Sequence, residues 1–380
     1  MSRFDGQAGG DHAARLGIEG MSALAGAYRR ALTSRSAYAG SDHLLVETVS
    51  RLVVIDIELS GDRGTEAVPS ESDDDLDATL REARWRGVRS LGPDEIEDWL
   101  ARRSDWPQWS DEIRSTVRSG LLVAERNGAM NARAEHLLVA SLEQGGSHAR
   151  ELVDRLALQA SVTLALKRAD SLSTDGSPSF VGMLESGGLV VGSASPRWVL
   201  RPLSRLLFRL LARTTGYGSP MLRIFQPEVV RQAVRTEHTS VTTAHLVLAV
   251  LSIDEQMSRA GVDFVKEVAP FNTAGRVLRD RGLALAAAAE ITRGLRGEDE
   301  VYSREEAKRF IDGDRIADPI WGRRAGAVLD SAVADRRQRG DANAGTTHLL
   351  RAVLADRGCL GAELLLAAGL DLDQLAADLR

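Results

Sequence analysis

The sequence predicts an all-α fold built from four copies of one helix-start element. Each copy sets a histidine before a run of apolar residues, and four of the seven histidines of the 380-residue chain fall in this context. Aromatic residues make up only 4% of the chain, while Ala, Leu and Arg dominate, a composition that favours helix over strand. A recurring pattern of this kind indicates internal repeats. The copies are Asp42-His43-Leu44-Leu45-Val46, Glu135-His136-Leu137-Leu138-Val139, Ala244-His245-Leu246-Val247-Leu248 and Thr347-His348-Leu349-Leu350-Arg351.

Each element has the features of a helix N-terminus. Ser41, Thr243 and Thr346 lie just ahead of three copies, where a hydroxyl can accept a hydrogen bond from a free N–H group of the first turn. A histidine at such a position could be a catalytic base, a metal ligand or a partly buried structural residue. We favour the structural role for His43, His136, His245 and His348, because no second His or Cys accompanies them at ligand spacing.

Composition narrows the classes of function. The formal net charge is −6, which disfavours bulk nucleic-acid binding. A single cysteine, Cys359, excludes disulfide frameworks and cysteine-based metal sites within one chain. The N-terminal residues show no apolar core of a secretory signal, and no run of about 18 apolar residues could span a membrane. We therefore expect a cytoplasmic protein with no metal or cofactor.

Spacing within the chain divides it into two domains of two repeats each. Trp109 precedes His136 by 27 positions and Trp321 precedes His348 by the same 27, which indicates duplication. The third repeat opens at Phe225, 20 positions before His245, and the first is recognisable mainly from residues 41–46. We predict a flexible tail over residues 1–13, a first domain over 14–170, a linker over 171–220 and a second domain over 221–380.

The predicted linker contains a basic amphipathic helix. Arginine occurs at every fourth position among apolar residues, which places a basic stripe on one helical face. This helix could lie on an anionic membrane or partner surface, or it could pack on its own protein with its arginines solvated, which we favour. The stripe consists of Arg197, Arg201, Arg205, Arg209 and Arg213.

The order of these elements resembles the N-terminal domain of Clp/Hsp100 unfoldases, in which two all-α repeats pack as a pseudo-twofold domain. The resemblance covers most of the chain apart from the tail and residues 171–220. It implies a recognition module rather than a motor. None of the three lysines follows a glycine, so the phosphate-binding loop of an ATPase module is missing, and no serine-hydrolase or zincin motif is present.

The resemblance also implies a ligand site. Some members of the family bind phosphoarginine, with the Glu of the Glu-His-Leu-Leu element pairing the guanidinium and a hydroxyl at the first helix start holding the phosphate. The second repeat retains Ser110 and Glu135 at these positions, whereas the first has Gly17 and Asp42. The alternative role of Glu135 is a solvated carboxylate that favours the helix dipole. Candidate binding residues are Trp109, Ser110, Glu135, Phe225 and Trp321.

The leading hypothesis is a non-enzymatic module that binds peptides or proteins and serves a Clp protease system as accessory, adaptor or decoy. Its partners would be a Clp ATPase, Clp substrates or adaptors. A related expectation is the capture of cyclic-peptide antibiotics that target such domains. The rival hypotheses are a DNA-binding regulator and a membrane-associated scaffold that uses residues 197–213.

Overall fold

The computed structural model is predominantly helical, as the sequence predicts. No helix in the described part of the chain is both long and apolar enough to cross a bilayer. The basic stripe at 197–213 lies outside the described residues. The structure describes residues 14–53, 74–92, 95–97, 106–129, 131–143, 151–154, 159–160, 162–163, 179–186, 188–191, 219–296 and 300–380.

Backbone contacts divide the chain into two compact units. The first unit comprises Met1–Glu71 and Asp105–Gly176, and the second comprises Ser72–Ser104 and Ser177–Arg380. The sequence-based assignment placed residues 72–104 in the first domain and 177–220 in a linker. In the structure, the helices Asp74–Arg89 and Ser179–Ser186 of these segments group with the second unit, because each packs on a helix of that unit.

Within its described residues, the first unit contains four principal helices, each preceded by a two-residue strand. Its elements are β1 (Arg15–Leu16), α1 (Ile18–Thr33), β2 (Tyr38–Ala39), α2 (Ser41–Val53), β3 (Gln108–Trp109), α4 (Asp111–Arg126), β4 (Asn131–Ala132) and α5 (Ala134–Glu143); the helix α3 (Asp74–Arg89) belongs to the second unit.

The strands of the first unit pair reciprocally. β1 pairs in parallel with β4, and β2 pairs in parallel with β3. The start of α1 is therefore joined to the start of α5, and the start of α4 is joined to the start of α2. The strands that precede the helices of one repeat thus pair with those of the other repeat, through backbone hydrogen bonds such as Gly17 N–H to Ala132 O at 2.8 Å. We call this arrangement reciprocal closure.

The second unit repeats this order with additional elements. They are α6 (Ser179–Ser186), β5 (Val190–Val191), α7 (Pro220–Arg235), β6 (Ser240–Val241), α8 (Thr243–Ala260), β7 (Asp263–Phe264), α9 (Ala274–Asp280), α10 (Leu285–Gly294), α11 (Arg304–Ala307), β8 (Ile320–Trp321), α12 (Arg323–Arg339), α13 (Thr346–Ala355), α14 (Leu360–Ala367) and α15 (Leu372–Asp378).

Reciprocal closure recurs in the second unit. β6 pairs in parallel with β8, as β2 does with β3. The other closure, between the starts of α7 and α13, uses a side chain instead, since Ser219 Oγ donates to Ala344 O at 2.5 Å. Corresponding positions lie 202 residues apart in the first repeats, as His43 and His245 do, and 212 apart in the second, as His136 and His348 do.

Two local features of the second unit have no counterpart in the first unit's described residues. β5 pairs antiparallel with the distant β7. The helix α8 continues through Ala260, and Gly261 ends it in the left-handed conformation at φ 61°. Because Gln256 and Met257 are buried, packing extends this helix beyond the apolar run that identified it.

Candidate functional site

The four repeat histidines share one role in the helix starts. Nδ1 of each ring lies within hydrogen-bond distance of the backbone N–H three residues earlier. The donor to His136 is Arg133 at 2.9 Å, the donor to His245 is Thr242 at 2.8 Å, and the donor to His348 is Gly345 at 3.2 Å. Nδ1 of His43 lies 3.4 Å from Gly40 N but closer, at 2.8 Å, to Oδ1 of Asp42. The bond from the backbone satisfies an N–H group that the helix leaves unpaired.

Burial disfavours the charged form of three of these rings, those of His136, His245 and His348. Complete burial, with a smaller contribution from His238, lowers the pKa of His245 to about 3. Burial also lowers the pKa of His136 and of His348. Each ring is bound within its own helix start, and no group of three His, Cys, Asp or Glu side chains in the described ranges is arranged to hold a metal ion.

Two of the predicted binding residues lie in the core instead. Phe225 was predicted at a helix start, but Pro220 begins α7, so Phe225 lies inside the helix and is fully buried. Trp321 lies in β8, is also fully buried and stacks on Phe310 with 4.3 Å between ring centroids. Neither side chain offers a surface to a ligand.

Trp109 and Ser110 lie at the start of α4. The Trp109 ring is half-buried and rests 5.0 Å from the Tyr28 ring, whose hydroxyl donates to Pro107 O at 2.9 Å. The Ser110 hydroxyl is the N-cap of α4 and accepts from Ile113 N–H at 3.3 Å. Both residues therefore fix the helix start, and part of the indole remains accessible.

Strand pairing assigns Ser110 and Glu135 to different sites. Ser110 N–H donates to Ala39 O at 3.2 Å, which sets Ser110 beside the start of α2 and its residue Asp42. Glu135 instead lies at the start of α5, which is joined to the start of α1. The sequence paired Ser110 with Glu135 because they belong to one repeat. Reciprocal closure pairs helix starts from different repeats.

Glu135 is the most unusual charged residue among these helix starts. It is only 7% exposed, and its Oε2 is buried without a hydrogen-bond partner. Its Oε1 lies 3.1 Å from Nε of Arg133, and that same Nε lies 3.1 Å from Oε2 of Glu19 on α1. Burial raises the pKa of Glu135. We name the three residues Glu19, Arg133 and Glu135 the carboxylate cluster.

The carboxylate cluster suits a cationic group. Two carboxylates share one guanidinium, so a second planar donor could bind the unpaired oxygen of Glu135 with charge-assisted hydrogen bonds. Sequence reasoning identified Glu135 but missed Arg133 and Glu19. Arg133 is adjacent to the repeated element but outside its pattern, and Glu19 is more than 100 positions away in the chain.

The site around Asp42 differs in character. Its carboxylate is partly exposed and accepts from the backbone N–H of His43 at 2.8 Å, with the His43 ring Nδ1 also 2.8 Å away. Burial opposes ionisation of Asp42, but the bonds to His43 outweigh it and lower the pKa. Its Oδ1 is thus engaged within its own helix start.

Comparison of the chain with family models, with curated proteins and with solved structures returned no match.

Proposed function

We propose that the chain is a non-enzymatic module that binds peptides or proteins and serves a Clp protease system as accessory, adaptor or decoy. Support comes from the reciprocal closure of the helix starts, the arrangement that a pseudo-twofold pair of repeats requires. The proposed ligand site is the carboxylate cluster; the accessible part of Trp109 lies at the other pair of helix starts, those of α4 and α2. The proposed ligand class is a peptide that carries arginine.

The unpaired oxygen of Glu135 is the single observation that carries the ligand class. A buried carboxylate oxygen without a partner costs free energy, commonly about 1–3 kcal/mol. A guanidinium that reaches this oxygen would recover that cost and would add a charge-assisted bond. Since Arg133 already occupies Oε1, the incoming group shares the carboxylate with Arg133 rather than replacing it.

The proposal is tested by capture from bacterial lysate with the full-length protein. We expect the wild type to recover a Clp ATPase, its protease subunit or Clp substrates, and Glu135→Gln to recover much less. Thr347→Ala is the matched control, because Thr347 holds the equivalent position in the last repeat and bonds to Thr273 N–H at 3.0 Å. Recovery of none of these proteins by the wild type would contradict the Clp function.

A direct assay separates ligand chemistry from the choice of machine. Arginine-containing peptides, phosphorylated or not, and lysine-containing peptides of the same sequence are titrated against the intact chain. We expect arginine peptides to bind and lysine peptides to bind more weakly, since the planar guanidinium is pre-organised and more weakly hydrated than an ammonium group. Equal binding of the two series would contradict the assignment to Glu135. Cyclic-peptide capture is tested with the same variants.

A further inference from the structure

The helix α3 is attached to the second unit by an ordered arrangement of charges. It packs chiefly against α7. Its first turns are acidic: Asp74 reaches Arg293 at 3.1 Å and Asp75 reaches Arg235 at 2.7 Å. Its last turn is basic, where Arg89 pairs with Asp312 and lies 3.5 Å from Asp318.

A buried carboxylate lies in the middle of this interface. Glu82 of α3 is 1% exposed and meets Arg231 at 2.7 Å and Arg235 at 3.0 Å, both on α7. Burial alone would raise the pKa of Glu82, but the guanidinium groups of Arg231, Arg86 and Arg235 outweigh it and hold the pKa well below its usual range. The carboxylate is therefore ionised and specifically recognised.

One aromatic side chain anchors α3. The indole of Trp85 joins the main apolar cluster of the second unit, and its N–H donates to Asp318 Oδ1 at 2.9 Å. The guanidinium of Arg89 lies 5.1 Å from the centre of the same ring. A central aromatic anchor surrounded by ion pairs is typical of a recognition interface rather than of a domain core.

The groove that receives α3 therefore has three parts. A basic end is formed by Arg231, Arg235 and Arg293; a central apolar pocket holds the indole; and an acidic end is formed by Asp312 and Asp318. These parts are complementary to α3 in one orientation only. In the first unit, the positions that correspond to Arg231 and Arg235 are Arg29 and Thr33, and both are exposed.

We propose that this groove is a helix-binding site for a partner protein, and that α3 occupies it as a built-in competitor. The partner segment is an amphipathic helix with acidic first turns, a central aromatic residue and arginine in its last turn. The apparent affinity for the partner is the intrinsic affinity multiplied by the fraction of time that the groove is free of α3. This proposal stands whether or not the partner belongs to a Clp system.

The test uses the full-length protein and a fluorescent peptide of residues 72–92, measured by anisotropy. We expect saturable but weak binding to the wild type. Trp85→Ala in the chain should tighten it by roughly tenfold or more, because the internal helix then occupies the groove for less of the time. A control peptide that carries Glu82→Arg and Trp85→Ala should not bind.

A second chain variant distinguishes a weakened α3 contact from a misfolded protein. Arg89→Ala removes the pairs with Asp312 and Asp318 and the contact with the face of Trp85, but it leaves the indole in place. It should give a smaller increase in affinity than Trp85→Ala, with far-UV circular dichroism unchanged. A wild-type chain that takes up no peptide, or an affinity that neither variant changes, would overturn the proposal and make α3 a fixed structural part. Tighter peptide binding by the variants, in the order given, supports it.

Discussion

Both units have a buried carboxylate where two corresponding helices meet, α1 with α2 in the first unit and α7 with α8 in the second. The carboxylate belongs to the later helix of the pair in the first unit and to the earlier helix in the second. In the first unit, Glu47 on α2 is 3% exposed and meets Arg30 of α1 at 2.7 Å. It lies over Gly26, where an added Cβ would overlap the Glu47 side chain. Arg51 meets its other oxygen at 2.7 Å.

In the second unit, the carboxylate is on the first helix. Glu228 of α7 corresponds to Gly26, and Ala249 of α8 corresponds to Glu47. Glu228 is 3% exposed, and its Oε1 accepts from Gln232 at 2.7 Å and from Ser252 at 2.5 Å. The two units thus share the arrangement of these helices but carry the buried carboxylate on different helices.

The position of the carboxylate on α7 affects the contact with α3. Arg231 pairs with Glu228 at 2.9 Å and with Glu82 of α3 at 2.7 Å, so Glu228 positions the arginine that contacts α3. In the first unit, the corresponding Arg29 is exposed. Among the described residues, the position of Arg29 is therefore exposed, whereas the corresponding Arg231 contacts α3.

Removal of Glu228 should give the largest effect. Glu228→Ala leaves Arg231 near the core with one fewer counter-charge, and loss of one partner of a buried pair typically costs about 3–5 kcal/mol. Urea unfolding monitored by circular dichroism measures this cost. Glu255→Ala is the control: its pair with Arg259 is more exposed, so we expect about 0–1 kcal/mol. Equal losses for the two variants would contradict the assigned role of Glu228.

Transfer of the carboxylate within the first unit should partly restore stability. Glu47→Ala removes the carboxylate that pairs with Arg30 at a half-buried position, for which we expect a loss of about 1–3 kcal/mol. The double variant Gly26→Glu with Glu47→Ala reproduces the arrangement of the second unit and should recover at least about 1 kcal/mol of that loss. Gly26→Glu alone should be the least stable, because both side chains then compete for one space. A double variant with a lower free energy of unfolding than both single variants would contradict the equivalence of the two helix contacts.

The free energy of unfolding should depend on pH through the titration of His245. The pKa of His245 is about 3 in the folded chain, against an ordinary value of 6.5 that applies to the unfolded chain. Between these two pH values the unfolded chain binds a proton that the folded chain does not. The contribution of this group is present above pH 6.5 and is lost as the pH falls, by about 1.4 kcal/mol per pH unit. His245→Gln should remove this slope. Parallel pH profiles for the two proteins would show that the ring is not buried as described.

The smallest effect should come from the exposed counterpart of Arg231. Arg29→Ala should change the free energy of unfolding by less than about 0.5 kcal/mol, as is usual for exposed sites. Arg231→Ala should cost several times more, because it leaves Glu82 and Glu228 buried with less positive charge. Thermal unfolding of the two variants at one pH measures the contrast. A loss at Arg29 as large as that at Arg231 would indicate an unrecognised contact in the first unit.

The sequence alone predicts the helices that carry the repeated element, because their histidine and apolar spacing are local. It does not predict that α3 belongs to the second unit. Glu82 and Trp85 read as one charged and one apolar residue of an ordinary helix, and only Arg231 and Asp318 show what they recognise. The reciprocal strand pairs escape prediction too, since two residues are too short to give a pattern.

The candidate site was predicted only in part. Glu135 was identified by its position beside His136, but its pairing with Ser110 assumed that a site comes from one repeat. The cluster with Arg133 and Glu19 depends on the closure between β1 and β4. Phe225 and Trp321 were misplaced because an aromatic residue near a helix start has the same sequence signature whether it faces the core or the solvent.

Native-state hydrogen exchange of the full-length protein, at low and high salt, tests most directly whether α3 is a helix docked on a preformed face. The account predicts that the amides of α3 exchange sooner than those of α7 and α8, and that salt accelerates α3 selectively because ion pairs hold it. Exchange of α3 together with α7 and α8, at one rate and without salt dependence, would contradict the account and make α3 an inseparable part of the second core.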